Sequence, residues 1–233
     1  MIGRDVSNSR WWGADVARVT DPAFVTLPAA DRDAALAPFA WAELRAPLES
    51  APDPWSLCEA GFGFCDAQIG FRIRLDAPSP GSSAEALEVV SGADAPFDPA
   101  GLPVRAFAHE RFLRLRGATP ERVGERYLAW ARQLAGEHPS LALHVLRDGV
   151  PQGWFCARPA DRGIELTLAA LYEDATTGGM HLYEAALGAF AAQGHRIGGA
   201  SFSITNTDVH GIYAALGARF TSTDGSWIWQ ATT

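Results

Sequence analysis

Apolar positions recur every three to four residues in three long stretches of the second half of this chain. Between those stretches they recur every second residue. From 119 to 136 the spacing places Val123, Tyr127, Trp130, Ala131 and Leu134 on one stripe. Thr119-Pro120 opens that stretch with proline at the first helical position, so a helix is predicted. Residues 141–146, 152–158 and 164–171 alternate, and Arg147-Asp148-Gly149 and Asp161-Arg162-Gly163 supply the turns between them. They read as an antiparallel meander. In its third strand the alternation sets Glu165, Thr167 and Ala169 on one face and Leu166, Leu168 and Ala170 on the other. A second helix is predicted over 178–193, with Leu182, Ala186, Leu187 and Phe190 inward and Gly194 ending it. A strand over 197–204 follows, then a helix over 207–216 closed by Gly217. Residues 219–230 read as a terminal strand, or a hairpin around Asp224-Gly225.

The first half is patterned in shorter pieces. Residues 15–20 and 41–48 read as strands, and 54–60 as a short helix closed by Gly61. Residues 62–75 are aromatic and alternating, as a strand is. From 76 to 103 the chain is dense in Pro, Gly, Ser and Ala and loses its period, which marks a linker or long loop. The expected organisation is a smaller N-terminal α/β part over 1–75, the linker over 76–103, and a main domain over 104–233. The fold class is α/β (α+β).

Composition narrows the function classes. The 233 residues are 48% hydrophobic and 20% charged, ordinary for a globular chain that buries a core. The formal net charge of −8 argues against a nucleic-acid partner, which calls for clustered Lys and Arg. The Arg residues at 111–132 are interleaved with Glu110, Glu121 and Glu125, as on a solvated, ion-paired helix face. No apolar run is long enough to span a membrane. Three cysteines without a CxxC spacing indicate neither a disulfide framework nor a zinc site, and the six histidines lack metal-ligand spacing, so no metal is expected. The opening residues lack the order of a secretory signal, and a cytoplasmic protein is expected. The field suits a small-molecule partner, uncharged or cationic. A monomer and a homodimer both fit.

Three stretches carry a resemblance. SITNTDVHGIYAALGARF sets Asn206, Tyr213 and Gly217 at Asn-x6-Tyr-x3-Gly, behind the meander and a glycine-opened helix. In that order they resemble the GNAT superfamily of acyl-CoA-dependent N-acyltransferases. HERFLRLRGATPERVGERYLAWARQLAG is similar to the segment before the meander in the branch that acetylates amino sugars on dTDP, the dTDP-fucosamine acetyltransferase type. SNSRWWGADVARV is similar to the amino-terminal motif of that branch, with Asn8 in place of Asp and Trp11-Trp12 in place of a Phe pair. The resemblance implies a mixed central sheet flanked by helices, with the first part echoing the same architecture weakly.

It also implies chemistry. Acyl transfer from acetyl-CoA, or another acyl-CoA, to an amine requires a held pyrophosphate, a polarised carbonyl, a group that takes the amine proton and one that protonates the thiolate. The resemblance assigns the pyrophosphate to the loop 172–180, YEDATTGGM, with Thr176, Thr177, Gly178, Gly179 and Met180 at a helix start. Where the family carries Arg or Gln and then Gly or Ala, this loop has Ala175 and Met180, and Glu173 and Asp174 oppose an anion. The backbone N–H of Leu171 falls where the family polarises the carbonyl. Tyr213 falls at the general acid, for which a protonated phenol suits a departing thiolate; as a bare residue it also reads as core. Asn206 is a cofactor contact or a helix cap. Glu165 is a candidate general base or a solvent-facing strand residue, with His181 and His210 as alternatives. The acceptor expected from the resemblance is a primary amine on an amino sugar or sugar nucleotide. A cationic amine such as an aminoglycoside or polyamine, and a GNAT-shaped binding or scaffold protein without activity, are the other readings.

Overall fold

The computed structural model describes residues 1–76, 87–99 and 107–231. Part of the stretch read as a linker therefore lies outside the described residues. In chain order the elements are β1 (Ile2–Arg4), α1 (Val6–Trp12), β2 (Val16–Val19), α2 (Ala29–Leu36), β3 (Trp41–Pro47), α3 (Pro54–Glu59) and β4 (Gly63–Arg74). They continue with β5 (Glu88–Ser91), α4 (Pro120–Glu137), β6 (Ala142–Arg147), β7 (Val150–Ala160), β8 (Gly163–Leu171), α5 (Gly179–Ala192), β9 (Ile197–Ser203), α6 (Thr207–Ala215) and β10 (Arg219–Gln230). The chain forms two compact units. One comprises Met1–Ile69, Arg111–Ala118 and Ser222–Thr233, the other Gly70–Glu110 and Thr119–Thr221.

In the first unit the strand order is β1-β2-β3-β10-β4. β1 runs antiparallel to β2, and β2 runs parallel to β3 with four successive pairs from Val16↔Trp41 to Val19↔Leu44. Ala17, Val19, Leu44 and Ala46 face a core with Phe24, Leu36, Phe62 and Trp227. The other face of β3 carries Trp41, Glu43 and Arg45. Glu43 is 1% exposed there, and Arg111 Nε donates to its Oε1 at 2.5 Å. A buried carboxylate is tolerated only when paired in this way. Arg45 donates to Gln68 Oε1 on β4. Asp224 and Gly225 make no turn: they pair with Pro47 and Ala46 in a strand that runs straight through to Gln230. Glycine stands at 225 because a Cβ would meet the Trp227 ring at 2.2 Å.

In the second unit the order is β4-β9-β8-β7-β6-β5, a mixed sheet flanked by helices, as expected. β5 lies within the stretch read as a linker and pairs antiparallel with β6. Thr119 caps α4 by accepting the Arg122 N–H, and Val123, Tyr127, Ala131 and Leu134 are its buried stripe. α5 buries Leu182, Tyr183, Ala186, Leu187 and Phe190 against Phe71, Ile73, Leu143, Val145, Phe155 and Leu166. Gly194, at φ +93°, closes α5 in the left-handed region that glycine enters without a Cβ clash. At Gly153 the requirement is space. A Cβ there would lie 2.4 Å from Ala170 O and 2.4 Å from Leu182 Cδ1, so β7 approaches β8 and α5 as closely as a bare backbone allows.

Candidate active site

The alternation predicted for β8 fails at Thr167. Cys156 on β7 opposes Leu168 while Ala157 opposes Leu166, which leaves Thr167 as the extra residue of a β-bulge. Ile164 and Leu166 point to the α5 side of the sheet, and past the bulge Ala169 and Leu171 do so instead of Leu168 and Ala170. The bulge also sits where β8 leaves its parallel neighbour. β8 and β9 pair only at Ile164↔Gly198 and Glu165↔Gly199, and beyond these the two strands part.

Hydrogen-bond parity says what lines the opening. The Tyr172 N–H donates to Gln152 O at 2.9 Å, which aims Tyr172 and Ala170 at β7. The peptide groups of Ala169 and Leu171 point the other way, toward β9. The N–H of Leu171, expected at the reacting carbonyl, thus lies on the open side.

The loop after β8 is held by a residue the sequence did not mark. Gln152, buried on β7, accepts the N–H groups of Thr176 (2.8 Å) and Thr177 (3.0 Å) on its Oε1. Those two amides, expected to face phosphate, are engaged by protein. The donors that continue the line are at the start of α5. Gly178 is its N-cap and makes no side-chain cap, and the first intrahelical bond runs from Leu182 N–H to Gly178 O. The first-turn N–H groups of Gly179, Met180 and His181 precede that bond and have no partner within the helix. No atom lies within 4 Å of a Cβ built on Gly178, whose φ is −85°, so the fold itself does not demand glycine there. A Cβ on Gly179 would approach Ile212 Cδ1 at 3.1 Å, which fixes how closely α5 meets α6.

Arg147 restores the positive charge that the loop sequence lacks. From the end of β6 its Nη1 lies 3.3 Å from both Thr176 O and Thr176 Oγ1, and its Nη2 3.4 Å from Thr177 Oγ1.

Tyr213, on α6, is 3% exposed. Its ring packs on Phe71 at 3.9 Å between centroids, on Tyr183 at 5.2 Å edge to face and on Phe202 at 6.1 Å. Among the described residues neither the Tyr213 nor the Tyr183 hydroxyl is hydrogen-bonded. Burial, with the neighbouring Tyr183 phenol adding to it, pushes the Tyr213 pKa well above 10.0 and keeps its proton in place at neutral pH. Asn206 is the cap of α6: its Oδ1 accepts the Val209 N–H at 3.2 Å.

Glu165 belongs elsewhere. It lies at the closed end of the strand pair, opposite Gly199, and takes two hydrogen bonds from Arg158, from Nε at 2.9 Å and Nη2 at 2.7 Å. Its carboxylate is engaged by Arg158 on a solvent-exposed part of the sheet, away from the end where β8 and β9 part. His181 lies 3.5 Å from Glu184, and His210 stacks on Phe220 at 4.8 Å. Among the described residues no three His, Cys, Asp or Glu side chains are placed to hold a metal ion, and no helix is long and apolar enough to cross a membrane.

No protein-family model matches the sequence, and comparison with the curated proteins finds no match. Solved structures do match. A GCN5-related N-acetyltransferase from Sphaerobacter thermophilus superposes with a TM-score of 0.57 at 14% identity, covering 82% of this chain and 59% of its own length. A tandem GNAT protein from the clavulanic acid biosynthesis pathway, in a form without AcCoA, gives 0.53 at 16% over 95% of this chain and 77% of its own. A glucosamine N-acetyltransferase region of a fungal multi-domain GH3 beta-N-acetylglucosaminidase gives 0.55 at 9% over 82% and 26%. At such identities the likeness is one of architecture, and the chain has the fold of the GNAT N-acetyltransferases.

Proposed function

We propose that the chain is an acyl-CoA-dependent N-acyltransferase that acylates, most simply acetylates, a primary amine on a small molecule. The observation that carries this is the half-open pair β8/β9. Peptide groups at Ala169 and Leu171, turned from β7 toward β9, lead from it to the first-turn amides of α5, and the same unit holds the Tyr213 phenol. An extended pantetheine arm carries amides that add to such an edge as a strand does. A diphosphate suits the N–H groups of Gly178, Gly179, Met180 and His181, where the helix dipole favours an anion and Arg147 adds a full charge. Bound acyl-CoA supplies the activated acyl carbon. The residues of the chain hold its phosphates, polarise its carbonyl through the Leu171 N–H, and offer the Tyr213 proton to the departing sulfur. Thr176 and Thr177 serve by shaping the loop, and Asn206 by capping α6.

An amino sugar, alone or carried on a nucleotide, is the leading acceptor. The motif resemblance and the likeness to the fungal glucosamine N-acetyltransferase region support it. The net charge of −8 supports a second acceptor class, a cationic amine such as an aminoglycoside or polyamine. Thermal unfolding with and without CoA tests the core of the proposal. CoA at a hundred times its dissociation constant stabilises the folded chain by about 2.7 kcal/mol. A midpoint that stays put at millimolar CoA would leave a GNAT-shaped binding or scaffold protein instead.

A further inference from the structure

Glu165 lies at the closed end of β8/β9, so at the open end the proton of the attacking amine needs another acceptor. We infer that Ser203, Thr205 and His109 form it, as a hydroxyl relay ending on an imidazole; this rests on the acyltransferase reading above.

Alternation along β9 places the relay. Phe202 points to the α5 side, where it stacks on Tyr213, so Ser203 points to the opposite face. Ser203 is the last residue of β9, four positions past the closed pair at Gly199, or about 13 Å at the rise of a strand. The Tyr213 ring and the serine thus lie on the two faces of β9. An acid and a base that act on opposite ends of a reacting carbon need that arrangement.

The distances make a chain. Ser203 Oγ lies 2.8 Å from Thr205 Oγ1, which lies 3.2 Å from His109 Nδ1. The Thr205 N–H donates to Ser203 Oγ at 3.3 Å and fixes the short turn between the two hydroxyls. His109 is exposed, so a proton that reaches its ring passes on to water. The neutral imidazole carries its hydrogen on Nε2 and accepts from Thr205 on Nδ1, and Thr205 accepts from Ser203.

The step balances. The amine nitrogen forms the new bond to the acyl carbon as the carbon–sulfur bond breaks, and the sulfur takes the Tyr213 proton. The proton lost from nitrogen goes to Ser203 Oγ while Ser203 gives its own to Thr205 and Thr205 gives its own to His109 Nδ1. His109 then returns one proton to solvent and Tyr213 recovers one. Ser203 is the catalytic residue of the three, because it meets the amine; Thr205 and His109 act through it.

Nitrogen NMR of the uniformly labelled chain, with His109 assigned by His109→Gln, tests the direction of the relay without any ligand. The expected spectrum shows neutral His109 with a bare Nδ1 and a protonated Nε2. Thr205→Val releases that preference into a mixture, and Thr205→Ser restores it. A protonated Nδ1 in the parent chain, donating to Thr205, or a tautomer indifferent to Thr205→Val, overturns the inference. Failure of CoA to stabilise the chain would defeat the acyltransferase reading while leaving this spectrum as it is, so the two failures are told apart.

Discussion

Among the described residues a parallel strand pair occurs in each unit, β2/β3 in one and β8/β9 in the other, and the two differ in how far they pair. β2 and β3 pair over every residue of β2, from Val16↔Trp41 to Val19↔Leu44. β8 and β9 pair over two residues and part at the Thr167 bulge. The closed pair completes its own hydrogen bonds, and the carboxylate beside it, Glu43, is satisfied by Arg111. The open pair leaves peptide groups turned toward β9 and ends on a helix start with no side-chain cap. The strand order alone does not make a site. An interrupted ladder does, because it leaves backbone donors and acceptors whose partners must come from outside. At β2/β3 the first unit has no such opening, because the pairing runs the whole length of β2.

The largest effect that this contrast predicts is at Tyr213, in the unit of the open pair. Tyr213→Phe removes one hydroxyl that has no partner among the described residues, so the fold is expected to hold and the affinity for CoA to stay. Turnover with an amine acceptor is expected to fall by about a hundredfold or more, the usual contribution of a general acid. Steady-state kinetics beside calorimetric CoA titration separate the two quantities, and equal turnover would remove the phenol from the chemistry.

Glu43, beside the closed pair, is expected to behave in the opposite way. Glu43→Ala breaks the buried pair with Arg111 and is expected to destabilise the chain by about 3–5 kcal/mol in urea unfolding. Its pH dependence has a definite sign. Burial pushes the Glu43 carboxyl up, but the charge and hydrogen bond of Arg111, with Arg45 and Arg18, outweigh it and hold the pKa below 4.5. A carboxyl whose folded value lies below its unfolded one contributes stability in full above the unfolded value and loses it as the pH falls. The parent chain therefore loses this contribution in acid below about 4.5, and Glu43→Ala has none to lose. CoA affinity is expected to stay unchanged.

Much of this was legible in the residues. The caps at Thr119 and Asn206 and the stripes of α4 and α5 are local signals, and local signals survive folding. The bulge was not legible, because Leu166 to Leu171 is a run of Leu, Thr and Ala in which a shifted alternation leaves no mark. Asp224-Gly225 gave the wrong signal. The pair is turn chemistry in isolation, yet here glycine serves the close approach of Trp227 and Leu48 to a straight strand. Gln152 and Arg147 could not be found from spacing at all. They reach the 176–177 loop through the antiparallel register of β6, β7 and β8, which is fixed only when the sheet forms.

Arg147 gives the smallest and most discriminating of the expected effects. Its guanidinium is half-buried and meets the loop at 3.3–3.4 Å, distances at which neutral partners contribute little to stability. Arg147→Gln is therefore expected to change unfolding by no more than about 0.5 kcal/mol. Against a diphosphate the same side chain supplies a full charge and a planar fork, so its loss is expected to weaken CoA about tenfold, equivalent to about 1.4 kcal/mol. Arg147→Lys keeps the charge without the fork and is expected to fall between the two. Added salt screens a charge at the mouth of the opening, so the affinity of the parent chain is expected to drop more steeply with ionic strength than that of Arg147→Gln. Identical salt slopes would mean that Arg147 only ties down the loop, and the positive end of α5 would then be left to hold the phosphates by its amides alone.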